Sequence, residues 1–223
     1  MSSKTVYLSP STQEKNIGVG DYGTEEFRCN LIADVTQQIL SNHGVSVIRN
    51  KPSMTLSQVV ADSNSYDINL HQAIHTNAYN EKARGCETFC YKLSSTDGYK
   101  LAQCVYKYVS AITPTEDRGI KQAYDFYGTG SHMYEPVYTK AVANLVEVAF
   151  HDNVDDAKWI IENISNIGVA IAKGDLEYLG IAYVDNTEIN IAETLEALQI
   201  SLDKQATRIK VIENKLLKVK GIL

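Results

Sequence analysis

From Thr5 to about residue 178, short β-branched runs alternate with stretches of helical periodicity. That alternation constrains the fold more than any other feature. Thr5–Leu8 and Val45–Ile48 read as strands, as do the alternating run Tyr66–His75, Gly85–Tyr91 and Asn144–Phe150. Between them, Thr24 is a good N-cap, and the acids Glu25 and Glu26 follow in the first turn, where a helix dipole favours them. Phe27, Leu31, Ile32, Val35, Ile39 and Leu40 then recur at helical spacing up to a stop at Asn42-His43-Gly44. Leu56–Ser63, Asp97–Ile112 and Val154–Gly174 read as further helices. The pattern predicts an α/β domain with a mostly parallel, twisted sheet flanked by helices. Residues 9–24 are polar and glycine-rich and read as a loop; residues 121–139 are rich in Tyr and Gly and take no clear assignment.

The tail follows a different rule. Ile191, Leu195, Leu198, Leu202, Gln205, Ile209, Ile212, Leu216, Val219 and Leu223 are spaced alternately four and three apart, and all but Gln205 are apolar. This is the a/d seam of a coiled coil over roughly four heptads. A single helix packed on the domain is the alternative, but it would drift from a strict 3.5-residue period over this length. Leu dominates one layer and β-branched residues recur in the other, which favours trimers or tetramers over dimers. The chain thus divides into a domain over residues 1–178, a linker over 179–190 and an oligomerisation helix over 191–223.

The 21 basic and 27 acidic residues give a formal net charge of −6. An acidic surface repels phosphate, so nucleic acid is not expected as a partner. No apolar run reaches the roughly 18 residues needed to span a bilayer, so no membrane is expected either. The first residues carry no apolar signal-peptide core, from which synthesis in the cytoplasm without an export signal is expected. Cys29, Cys86, Cys90 and Cys104 are too few for a disulfide framework, and Cys86 and Cys90, four apart in a segment rich in strand formers, read as buried thiols rather than metal ligands.

Four features could carry chemistry. In an open α/β sheet, ligands bind at the carboxyl ends of the strands. The loop Ser9-Pro10-Ser11-Thr12-Gln13-Glu14-Lys15-Asn16 follows the first strand, and His75 ends another. Glu26 opens a helix, where it could equally be a dipole partner. Glu147 lies between Val146 and Val148 on a strongly apolar strand, sharing a face with Leu145. Burial there raises a carboxyl's proton affinity, as a general acid or base near neutral pH requires; an acid at a strand end facing solvent is the bland alternative. Together, a His and three carboxylates are the parts of an open zinc site: three protein ligands, a water, and a separate carboxylate as base. No nucleophile elbow, phosphate loop or dinucleotide fingerprint is present.

These residues also carry a resemblance. The polar loop after the first strand, Gly23-Thr24-Glu25-Glu26, His75-Thr76-Asn77-Ala78, Arg84-Gly85-Cys86-Glu87, Asp117-Arg118-Gly119-Ile120 and Val146-Glu147-Val148-Ala149-Phe150-His151-Asp152-Asn153 come in the order found in the zinc-dependent N-acetylmuramoyl-L-alanine amidases, the amidase-3 family. The chain is most similar to phage endolysins and prophage or autolytic enzymes of clostridia and bacilli. The resemblance, over residues 4–178, implies a six-stranded sheet. It also implies one zinc ion that activates water to cleave the amide joining N-acetylmuramic acid to L-alanine, with bacterial peptidoglycan as partner and the cell wall, after release, as place of action. It implies Glu26 and His75 as ligands and Glu147 as the catalytic glutamate.

The family's first ligand, a His after strand one, is missing. Glu14 is the best substitute by chemistry and Gln13 the second. His71 stands four residues before His75, about 13 Å along a strand, too far to share one ion. Asn77 and Arg84 are candidates for glycan or stem-peptide contacts. The missing His opens an alternative: a non-catalytic wall-binding or structural oligomer. A different zinc peptidase on the same fold is a third reading.

The tail makes its own prediction. Full-length chain should sediment as a trimer or tetramer, and chain truncated near residue 186 as a monomer; identical sedimentation of the two would contradict the heptad reading.

Overall fold

The computed structural model describes residues 4–115 and 118–185. The chain divides into two units, residues 1–183 and 184–223. The coil expected over 191–223, the end of the linker, and Asp117 of the quoted motif all lie outside the described residues. Among the described residues no helix is long and apolar enough to cross a membrane.

Six strands form one sheet: β1 (Thr5–Pro10), β2 (Ser46–Arg49), β3 (Leu70–Asn77), β4 (Glu87–Cys90), β5 (Ile120–Gln122) and β6 (Val142–Phe150), in the order β2-β1-β3-β6-β4-β5. The first four in that order run parallel. β4 runs antiparallel to β6, with β5 parallel to β4, so the sheet is mixed. The reversal has a simple cause. Residues 78–86 link β3 to β4, and a parallel return needs a crossover of a dozen or more residues. β3 and β4 therefore run in opposite directions, and β6 lies between them.

The helices are α1 (Glu25–Asn42), α2 (Leu56–Ser63), α3 (Thr96–Ile112), α4 (Tyr134–Tyr138), α5 (Val154–Glu162) and α6 (Ile164–Leu179). Thr24 caps α1 as its sequence predicts, its side chain accepting from Phe27 N–H. The single helix expected over Val154–Gly174 is broken at Asn163, whose φ of −122° and ψ of 19° leave the helical region and end α5, and α6 continues to Leu179. The segment without a clear assignment supplies β5 and α4.

Strand alternation divides the sheet into two unlike faces. Ile74, Val146 and Val148 point into a large apolar core with residues of α1, α3 and α6. Ala73, Phe89 and Leu145 point to the other face, where Ala123 and Met133 complete a small cluster beneath α4. His71, His75 and Glu147 share that second face by the same alternation. All four cysteines are buried.

Candidate active site

Three titratable residues stand side by side across three neighbouring strands. His75 of β3 is in register with Glu147 of β6, which faces Glu87 of β4. All three are nearly buried. They lie toward the carboxyl ends of the parallel strands, where an α/β sheet presents its ligand crevice.

His75 is held at both ring nitrogens. Nδ1 donates to Glu25 Oε1 at 2.9 Å and Nε2 to Glu135 Oε1 at 3.2 Å. Glu25 is the first residue of α1, and its other oxygen accepts from Asn16 in the loop after β1. Glu135 sits on the short helix α4. Its Oε2 accepts from Ser9 Oγ at 2.6 Å and from His71 Nε2 at 2.8 Å, while His71 Nδ1 shares a hydrogen bond with Ser63 Oγ of α2. His71 and His75 thus converge on one carboxylate despite their separation along the strand.

Electrostatics follow from this network. Burial alone would strip the proton from His75, but its bonds to Glu135 and Glu25 outweigh that and hold its pKa well above the ordinary histidine range. Burial would also raise Glu135 and Glu25, and their histidine partners outweigh it, so both carboxyls sit below the usual range. Glu147 behaves oppositely. Burial raises it; the His75 charge opposes that, and the Glu25 and Glu87 carboxylates add to it, leaving its pKa at about 8. Its Oε2 is buried and has no hydrogen-bond partner, which costs about 1–3 kcal/mol. A protonated carboxyl with an unused oxygen is poised to exchange a proton with a bound group.

Glu147 borders two hollows. One, of about 400 Å³, is bounded by Asn77, Glu87, Arg118, Lys121 and aromatic side chains. The other lies over β3 and is bounded by Gln13, His75, Tyr127 and Glu135.

The residues singled out from sequence take distinct places. Glu147 and His75 are neighbours, as expected. The acid beside His75 is Glu25, which corrects the expectation for Glu26. Consecutive helix residues point about 100° apart, and Glu26 turns aside to accept from Asn30 at 2.9 Å. In the loop after β1, Gln13 borders the hollow beside His75 and Glu135, whereas Glu14 is exposed and lines neither hollow. Asn77 borders the larger hollow and donates to Glu87 at 2.7 Å. Arg84 does not reach either hollow: it pairs with Asp156 at 2.7 Å and Asp155 at 3.1 Å at the start of α5. Sequence reasoning missed Glu135, Glu87 and Lys121 as parts of this surface.

The donor set bears directly on the implied zinc ion. Glu25 and His75 are two suitable ligands, but among the described residues no group of three His, Cys, Asp or Glu side chains converges to hold a metal. Gln13 offers only a neutral amide, already accepting from Asn16. The described residues therefore do not supply the three protein ligands of an open zinc site.

The family model described as N-acetylmuramoyl-L-alanine amidase matches residues 6–175. The catalytic domain of the amidase CwlV from Bacillus (Paenibacillus) polymyxa var. colistinus is similar at 20% identity and a TM-score of 0.70, over 80% of this chain and 99% of that one. An N-acetylmuramoyl-L-alanine amidase from Clostridium difficile 630 is similar at 24% identity and a TM-score of 0.68, over 80% and 97%. The catalytic domain of the CD27L endolysin targeting Clostridia difficile is similar at 20% identity and a TM-score of 0.63, over 79% and 98%. At these identities the likeness is one of fold. No curated protein matches the chain.

Glu147 gives the site a pH signature. Between the ordinary glutamate range and about pH 8 the unfolded chain has lost this proton while the folded chain keeps it. Wild-type stability should therefore fall, relative to Glu147→Gln, as pH rises through that window, by at most about 1.4 kcal/mol per pH unit. Denaturant unfolding of both proteins from pH 5 to pH 8 checks this; a difference independent of pH would contradict a raised Glu147.

Proposed function

This chain belongs to the N-acetylmuramoyl-L-alanine amidase family, and from that premise we propose that it hydrolyses the amide between N-acetylmuramic acid and L-alanine in bacterial peptidoglycan. The observation that carries this reading is Glu147, a buried carboxyl held protonated at neutral pH beside an open hollow. When the amide C–N bond breaks, the leaving nitrogen must gain a proton, and a positioned acid with a pKa near the working pH supplies it best. Glu25 and Glu135 keep His75 oriented and its charge balanced next to that acid. Cleavage there detaches the peptide stems from the glycan and weakens the wall. The protein would act at the wall after release, as an endolysin or as an autolysin.

Zinc belongs to this proposal through the family alone. Glu25, His75 and Gln13 are the groups nearest to a ligand set, and they fall short of three strong donors. That same shortfall favours a second reading, a wall-binding domain without turnover. In either case a coil over residues 191–223 would multiply wall contacts through effective concentration.

Digestion of Gram-positive sacculi separates the readings. The amidase reading predicts new L-alanine amino termini without new reducing sugar, and a loss of about 10²- to 10⁴-fold in Glu147→Gln. Retained wall binding without released amino termini would replace it by the binding reading.

A further inference from the structure

The larger hollow is bordered by two cations, Arg118 and Lys121, and by the acids Glu87 and Glu147. Glu87 is buried, and its carboxylate is fully used: Oε1 accepts from Asn77, while Oε2 takes both Arg118 Nε at 3.0 Å and Lys121 Nζ. Two cations thus share one carboxylate. Among the described residues neither has a second acidic partner, and the Nη1 and Nη2 groups of Arg118 make no hydrogen bond. The guanidinium carbon lies 4.8 Å from the centre of the Phe150 ring. About a third of each side chain is exposed, 31% for Arg118 and 32% for Lys121, and both border the hollow that Glu147 opens on.

We propose that Arg118 and Lys121 form a subsite for a carboxylate of the peptide stem, with Glu87 as the buried anchor that holds them in place. This rests on the peptidoglycan reading above and names the part of that substrate lying over β4. The spacing agrees. Glu87 is the direct cross-strand partner of Glu147, so their backbones lie about 4.5–5.5 Å apart. An extended peptide advances about 3.3–3.6 Å per residue. With the breaking amide over Glu147, the carboxylate on the second stem residue falls roughly two residue lengths away, above the Glu87–Arg118–Lys121 cluster. The free Nη groups of an arginine match a carboxylate bidentately, and an ammonium beside it adds a further charge-assisted bond. Two cations bordering one hollow suit an anionic ligand. Arg84, by contrast, is held by Asp155 and Asp156 and has no part in this surface.

Two synthetic muropeptides test this, identical except that the second stem residue bears a free α-carboxylate in one and a carboxamide in the other. Wild type should prefer the carboxylate form in kcat/KM by at least about tenfold. Arg118→Gln and Lys121→Gln should each bring the ratio toward one, mainly through KM. Arg118→Lys, which keeps the charge, should restore part of the preference. Equal cleavage of both compounds by wild type, or an unchanged ratio in both Gln variants, would overturn the subsite. Failure of wild type to cleave either compound would instead defeat the amidase reading. The subsite is then decided by calorimetric affinities of wild type for the two compounds: tighter binding of the carboxylate form supports it, and equal or absent binding overturns it.

Discussion

His75 donates from both ring nitrogens to buried carboxylates, one at the start of α1 and the other on α4. The carboxyl edge of the sheet is organised around that clamp. Glu25 ties the loop after β1 to the sheet through Asn16, and Glu135 ties α4 to β1 through Ser9 and to α2 through His71 and Ser63. Helix α4 has only five residues and little stability of its own. Removing one member would leave an uncompensated charge inside the protein, which is far more costly than losing an exposed ion pair.

The clamp also explains why Glu147 differs from its neighbours. Burial outweighs the opposing His75 charge, and the Glu25 and Glu87 carboxylates add to the burial effect. Glu147 has burial against it and no hydrogen-bond donor on Oε2, and it keeps its proton. Neighbouring carboxyls of one chemistry are thus driven apart in pKa by their partners.

The sequence makes some of this legible and hides the rest for physical reasons. Alternation along 144–150 placed Glu147 on the face of Leu145, and the structure has both on the side of the small cluster. Thr24 was visible as a cap because capping is local. Glu25 and Glu26 were not distinguishable by the same logic, because the helix dipole favours either; only the direction of the sheet selects Glu25. Glu135 carries no local signal at all. Its partners, His71 and His75, lie 64 and 60 residues away, and its segment lacks periodicity. The antiparallel β4 was missed because strand direction depends on the length of the link from β3 and on where β6 inserts, neither of which alternation encodes.

Nitrogen NMR of the imidazole of His75, in metal-free protein titrated from pH 5 to pH 9, tests the clamp most directly. Both ring nitrogens should remain protonated well above the ordinary histidine range, and Glu135→Gln should lower the midpoint. Loss of a ring proton near pH 6.5 in wild type, unchanged by Glu135→Gln, would contradict the account.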